Sequence, residues 1–225
     1  IDECNNQGCN VDTDTCNNQP VIDGDACVNE LPFSKINQFS IDGVLYNYQL
    51  IDQSFKLCPG TYPIATPFTF SSSLNILEMD CQGATLKYET PSTYVNPLIY
   101  LFQNENLVIK NCKFEGFPNI IFGIQTKNIA LLNNNFINVA KISHFGGGSH
   151  IVFDSNNATS LSYTAPDGKL TQKAGNILFN NVDKVALIDN NFVISGDVKI
   201  NSDSKEIMIK NNIFQGGYYE IADAD

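Results

Sequence analysis

The chain contains no arginine, two histidines and no apolar run long enough to span a membrane. Without arginine it lacks the usual bidentate clamp for carboxylates and phosphates. Its 13 basic residues are outnumbered by 24 acidic ones, a net charge of −11 that argues against nucleic acid or an anionic membrane as partner. Several short motifs are also missing: a phosphate-cradling glycine loop, a nucleophile elbow, a cysteine-based zinc spacing and the outward threonine ladder of an ice-binding face. The chain opens at Ile1 with no methionine and no basic, apolar leader, which reads as a processed product or a fragment.

What the sequence does have is a nine-residue phrase that recurs five times: NLVIKNCKF from Asn106, NIALLNNNF from Asn128, HIVFDSNNA from His150, KVALIDNNF from Lys184 and EIMIKNNIF from Glu206. The starts lie 22, 22, 34 and 22 residues apart, so the long gap is one 22-residue turn with 12 residues inserted. A fixed period of this size is the mark of a solenoid. The second and fourth positions are always large and apolar, the period of two that sends alternate side chains to one buried face. The sixth position is Asn111, Asn133, Ser155, Asp189 and Asn211, short polar side chains that tolerate a left-handed corner. The ninth returns to the core with Phe114, Phe136, Phe192 and Phe214, broken once by Ala158. A period of 22 is short for two helices, and the phrases are poor in helix formers. The expected fold is all-β, a parallel β-helix of about 22-residue coils over residues 35–225, preceded by a cysteine-rich cap or linker over residues 1–34.

Seven cysteines, four of them within the first 27 residues, indicate an oxidising compartment. The sequon Asn157-Ala158-Thr159 agrees and makes Asn157 a glycosylation candidate. The expected location is therefore secreted, extracellular or at the surface of a eukaryotic cell. Residues 1–34 show no apolar periodicity, so Cys4, Cys9, Cys16 and Cys27 are disulfide candidates there. Aligning KLCPGTY, MDCQGAT and KNCKFEG puts Cys58, Cys81 and Cys112 in one column with Asn134, Asn156, Asn190 and Asn212. At the roughly 4.8 Å spacing of adjacent coils a Cys58–Cys81 staple is permitted. A buried, reduced column is the alternative, and seven is odd, so at least one thiol is left over.

Residues 55–86, with Pro-Gly-Thr-Tyr after one strand and Gly-Ala-Thr-Leu after a second, resemble the opening coils of right-handed parallel β-helix proteins of the pectin-lyase-like superfamily. With the later repeats the resemblance covers residues 40–221. It implies a fold shared by lyases, hydrolases, tailspikes, adhesins and structural proteins, and so no single activity. The hydrolase pattern of Asn-Thr-Asp, Asp-Asp, Gly-His-Gly and Arg-Ile-Lys is absent, and arginine-dependent lyase chemistry has no arginine to use. The opening IDEC resembles the start of a calcium-binding epidermal-growth-factor-like module, which would implicate Asp2 and Glu3 in Ca²⁺ binding. The later cysteine pattern of that module is missing.

Possible chemistry is sparse. Asp154 and Asp189 stand on successive phrases but in the fifth and sixth positions, facing opposite sides of the strand. His144 and His150 flank three glycines in HFGGGSH, a metal or catalytic motif on one reading and a surface turn on the other. The two insertions carry Tyr94, Tyr163, Asp167, Lys169 and Lys173, a composition suited to stacking on and hydrogen-bonding a sugar. The third position of the phrase, Val108, Ala130, Val152, Ala186 and Met208, is apolar although alternation turns it outward. Such a stripe marks a contact surface, unless an N-terminal segment of the same chain lies over it. The sequence thus reads as a secreted, non-catalytic structural or adhesive protein without cofactor, of the kind that builds an extracellular filament or surface coat. Its expected partners are copies of itself, other extracellular proteins or glycans. A carbohydrate-active enzyme, or a degenerate glycan-binding relative of one, is the alternative.

Overall fold

A computed structural model describes residues 26–41, 44–72, 76–88, 97–165, 168, 171–201 and 203–221, with residues 37–41, 44–46 and 171 as backbone only. It also describes the backbone of two short paired strands, Cys9–Asn10 and Thr15–Cys16. The chain is a parallel β-solenoid of about seven turns, with no helix among the described residues. Each coil has three faces. The first includes Ile99–Phe102, the start of Asn119–Leu132, the start of Lys141–Asp154, Asn176–Asn180 and Val198–Ile200. The second runs through Leu77–Asp80, Glu105–Lys110, the ends of the two 14-residue strands, Asp183–Ile188 and Lys205–Lys210. The third contains Thr61–Ile64, Thr85–Tyr88, Lys113–Glu115, Asn135–Ile137, Asn157–Ala158, Asn191–Ile194 and Ile213–Gly216.

The nine-residue phrase supplies the second face, a corner and the start of the third. Its second and fourth positions are buried in the first four phrases, and in the fifth Ile207 and Ile209 are partly exposed. The sixth position takes the left-handed conformation in all five, with φ between 52° and 56°. The first position does so too, at Asn106, Asn128, His150, Lys184 and Glu206. Ninth-position residues stack in register from Leu86 through Phe114, Phe136, Ala158 and Phe192 to Phe214. The Phe114 and Phe136 rings lie 5.5 Å apart and nearly parallel.

The seventh position makes a ladder inside the corner. The Nδ2 groups of Asn134, Asn156, Asn190 and Asn212 donate to the carbonyls of Ile109, Leu131, Phe153 and Leu187 in the preceding coil. Each Oδ1 accepts from the residue before it in the column, the Cys112 N–H opening the series at 3.0 Å. Carboxamides suit this place because each offers donors and an acceptor, and buried polar groups must be satisfied.

Two details of the opening coils depart from the sequence reading. Lys35–Ile41 pairs antiparallel with Val44–Ile51 rather than forming a parallel coil, and the intervening Asp42-Gly43 is a strong hairpin dipeptide. The disulfides join Cys27 to Cys58 and Cys81 to Cys112, with Cα separations of 4.8 and 4.7 Å, so the Cys58–Cys81 staple does not form. The reason is register. Strand pairing sets Lys56 beside Asp80, which puts Cys81 level with Leu57 and Cys58 one residue further along, while on its other side the Cys81 Cα lies 4.7 Å from that of Cys112. Val28 already lies in the stack, bridged in parallel to Leu57, which brings Cys27 to Cys58. Cys4 lies outside the described residues, and Cys9 and Cys16 are described only as backbone partners.

Candidate functional site

The corner between the second and third faces carries a concave feature. Between Asp80 and Thr85 the chain makes a turn at Gln82 and Gly83, both with positive φ, that is two residues longer than the corner between Lys110 and Lys113 above it. This longer turn stands at one end of a groove between the outward sixth and eighth positions. The resulting cleft of about 410 Å³ is lined by Gln82, Gly83, Asn111, Cys112, Lys113, Asn133 and Asn135, within the size range of small-molecule sites.

Its walls are held by side chains on successive coils. Asn133 Nδ2 donates to Asn111 Oδ1 at 2.8 Å, and Asn111 Nδ2 donates to Asp80 Oδ1 at 2.9 Å. The Gln82 N–H also reaches Asp80 Oδ1, at 3.0 Å. Burial pushes the Asp80 carboxyl up, but the Asn111 amide, the Gln82 N–H and the Lys110 ammonium outweigh it and hold Asp80 below the ordinary aspartate value. Asp80 therefore stays an anion that orients an amide. On the other wall, Asn157 Nδ2 donates to Asn135 Oδ1 at 3.1 Å and Asn191 Nδ2 to Asn157 Oδ1 at 2.9 Å. The sequon asparagine thus faces outward, as the register requires, but is half-buried within an amide ladder.

The lining is four carboxamides, one ammonium and backbone, with no carboxylate. Amides can donate to one hydroxyl and accept from its neighbour, which suits a neutral polyhydroxylated ligand. The reading of single residues missed this cleft. Its signal was Gln82-Gly83, a turn pair in a corner that shortens by two residues in the next coil.

The outward stripe is continuous. Val108, Ala130, Val152, Ala186 and Met208 are direct partners in adjacent strands, with Glu78 beside Val108. The first four are half-buried and Met208 is exposed.

Other expected site residues are not brought together. Tyr163 is a correction, being buried rather than presented to a ligand. Tyr163–Thr164 pairs antiparallel with Thr171–Gln172, folding this insertion back on itself, and the Tyr163 ring packs against Ala140 and Ala174. An aromatic side chain next to the solenoid wall gains more by covering it than by standing in water. Asn138 anchors this hairpin through both the N–H and the carbonyl of Thr164. Lys173 is exposed and 3.6 Å from Asp197. Tyr94, Asp167, Lys169 and the proposed Ca²⁺ residues Asp2 and Glu3 lie outside the described residues.

Register sets Asp154 beside Ile188, while Asp189 takes the left-handed corner, so the two carboxylates belong to different columns. His144 is half-buried on the first face beside Phe122, with its Nε2 2.9 Å from Asn180 Nδ2. Burial, then the Lys141 charge, lower its pKa. His150 sits exposed at a corner with φ 58°. Gly148 between them is required, because at φ 104° a Cβ would lie 2.0 Å from the Thr126 carbonyl oxygen. Among the described residues no group of three His, Cys, Asp or Glu is placed to hold a metal, and no helix is long and apolar enough to cross a membrane.

No protein-family model matches the chain, and neither does any curated protein. Among solved structures it is similar to the crystal structure of a putative glycosyl hydrolase from Parabacteroides merdae, at 14% identity and a TM-score of 0.54, covering 72% of this chain and 81% of that one. At this identity the likeness concerns the fold.

Proposed function

We propose that the protein is a non-catalytic, extracellular β-solenoid with an adhesive role, and that the ligand it holds is a neutral glycan. The observation that carries this reading is the cleft at Gln82, Asn111, Lys113, Asn133 and Asn135, a rigid amide-lined groove without a carboxylate in its lining. Glycoside cleavage ordinarily needs a proton donor and a second carboxylate across the scissile bond. Here the nearby carboxylates are committed, Asp80 to Asn111, Gln82 and Lys110, and Glu115 to the cleft's Lys113 at 3.3 Å. The two disulfides support an oxidising, extracellular setting. The description of the similarly folded Parabacteroides protein as a putative glycosyl hydrolase is in keeping with sugars as the ligand class.

The test is calorimetric titration with a panel of neutral and uronate oligosaccharides, with chromatography of the sugar afterwards. Asn133→Gly is the informative variant, since glycine keeps the left-handed corner while removing the amide. The reading expects binding of a neutral oligosaccharide, weakened about tenfold by Asn133→Gly, a loss in the range of one hydrogen bond, and unchanged sugar at the end. Shortened or unsaturated products would replace it with the enzyme reading.

A further inference from the structure

The second face offers more than an apolar stripe, because the columns on either side of it are electrically ordered. The third-position column is Val108, Ala130, Val152, Ala186 and Met208, with each residue directly beside the next. Two residues further along each strand, the fifth position reads Lys110, Leu132, Asp154, Ile188 and Lys210. Two residues back, at the corner, the first position reads Asn106, Asn128, His150, Lys184 and Glu206. The face is therefore apolar along its midline, and Leu132 and Ile188 widen it on one side.

We infer that this face pairs with the same face of a second copy of the chain, with the two solenoids running parallel. A two-fold axis along the solenoid direction through the midline sets each midline residue against its own counterpart. It also lays the fifth column of one copy over the first column of the other. Coil by coil the opposed pairs are Lys110 with the partner's Asn106, Leu132 with the partner's Asn128, Asp154 with the partner's His150, Ile188 with the partner's Lys184, and Lys210 with the partner's Glu206. Lys210 with Glu206 joins an ammonium to a carboxylate, Asp154 faces a neutral imidazole, and none of the five joins like charges. One coil before Val108, Glu78 in the midline column meets the partner's Glu78, each paired with its own Lys110 at 2.9 Å. The antiparallel arrangement lays each column over itself in reverse order. Lys110 then meets the partner's Lys210, Asp154 meets the partner's Asp154, and His150 meets the partner's His150. Charge order thus selects the parallel form, since like charges brought together across an interface oppose it.

Several groups in this pattern have contacts within their own chain. Ser155 Oγ donates to Asp154 Oδ1 at 2.8 Å, His150 Nδ1 lies 3.1 Å from Ser149 Oγ, and Asn128 Nδ2 donates to Asn106 Oδ1 at 2.7 Å, all exposed and exchangeable. Lys184 and Glu206 are 3.4 Å apart but both largely exposed, a pair worth little and easily exchanged. Lys110 stays with Glu78 and Asp80, at 2.9 and 3.5 Å, and meets only a neutral Asn106 in the parallel form. Five coils and five residue positions make a patch of roughly 400 Å² per copy at ordinary strand spacings. This lies at the weak end of specific interfaces, so the association is a weak, reversible one. It does not depend on the glycan reading, although paired copies would hold their clefts at the same height on the two solenoids.

The test is sedimentation equilibrium on the wild type, Val152→Lys, Lys210→Glu and the double swap Glu206→Lys/Lys210→Glu, with bismaleimide cross-linking of Val108→Cys. The wild type should dimerise reversibly, Val152→Lys should be monomeric, Lys210→Glu should weaken association about tenfold, and the double swap should restore it. Val108→Cys alone should cross-link to dimer above the wild-type background. A wild type that is monomeric throughout overturns the proposal, as does cross-linking seen only when Val108→Cys is mixed with Met208→Cys, which would mean antiparallel pairing. All five substituted positions lie outside the core, and circular dichroism confirms that each variant is folded before it is scored.

Discussion

Asn156 Oδ1 accepts both the backbone N–H and the side-chain amide of Asn134, at 2.9 and 3.1 Å, across the 22 residues of one complete coil. Its own Nδ2 donates to the Leu131 carbonyl and to Asn190 Oδ1. One buried side chain thus ties together three successive coils. Replacing Asn156 with alanine strands donors and an acceptor in the core, and each unsatisfied group costs about 1–3 kcal/mol. Chemical denaturation should show a loss of about 3 kcal/mol or more. A loss below about 1 kcal/mol would mean that water replaces the amide without penalty.

Phe136 is fully buried against Phe114, with Ala158 above it. Phe136→Ala should cost about 3–5 kcal/mol by opening a cavity between coils. The outward neighbour Asn135 should cost under about 1 kcal/mol on the same replacement, and the contrast is read from paired denaturation curves.

Tyr163 holds its insertion to the wall through Ala140 and Ala174. Tyr163→Ala should release the hairpin while leaving the coils intact. Limited proteolysis should then cut within residues 161–175 at least tenfold faster, with little change in far-ultraviolet circular dichroism.

Each disulfide joins residues 31 apart in sequence, and a loop of that length corresponds to about 3–4 kcal/mol of stabilisation in the chain-entropy account. Non-reducing peptide mapping should link Cys27 to Cys58 and Cys81 to Cys112. A Cys58–Cys81 peptide would show that the register of the opening coils differs from that described above.

His144 is held below its ordinary pKa by burial and by Lys141. The unfolded chain therefore takes up a proton at this site at higher pH than the folded one. Stability at this site is complete above about pH 6.5 and declines as pH falls through that value toward the lower folded pKa. His144→Gln should flatten the change in thermal midpoint between pH 7.5 and 5.5. An equal slope in the variant would assign the effect elsewhere.

Much of the fold was legible because its sequence is written five times. The alternation of Leu107 and Ile109, the corner at Asn111 and the return at Phe114 recur often enough that the register explains itself. Features that occur once were not legible. The one-residue offset between Cys58 and Cys81 decided the disulfides, and the two additional corner residues at Gln82-Gly83, relative to the corner at Asn111-Cys112, stand at one end of the cleft. Tyr163 stands in a single insertion, where a wall to cover and a ligand to stack on demand the same residue type. The left-handed first position carries Asn106 and Asn128 but also His150, Lys184 and Glu206, so residue type alone could not reveal it. The Asn134 to Asn212 column was visible as a column, but its hydrogen-bonding role followed only once the coils were stacked.

The central claim is that the amide cleft holds a neutral glycan without cutting it. Side-chain amide spectra of ¹⁵N-labelled protein, recorded during titration with the neutral oligosaccharide of highest affinity, test this most directly. The account predicts saturable shifts concentrated at Gln82, Asn111, Asn133 and Asn135, with the sugar signals unchanged over days. Shifts centred on His144 and Asn180, or the appearance of new reducing-end signals, would contradict it.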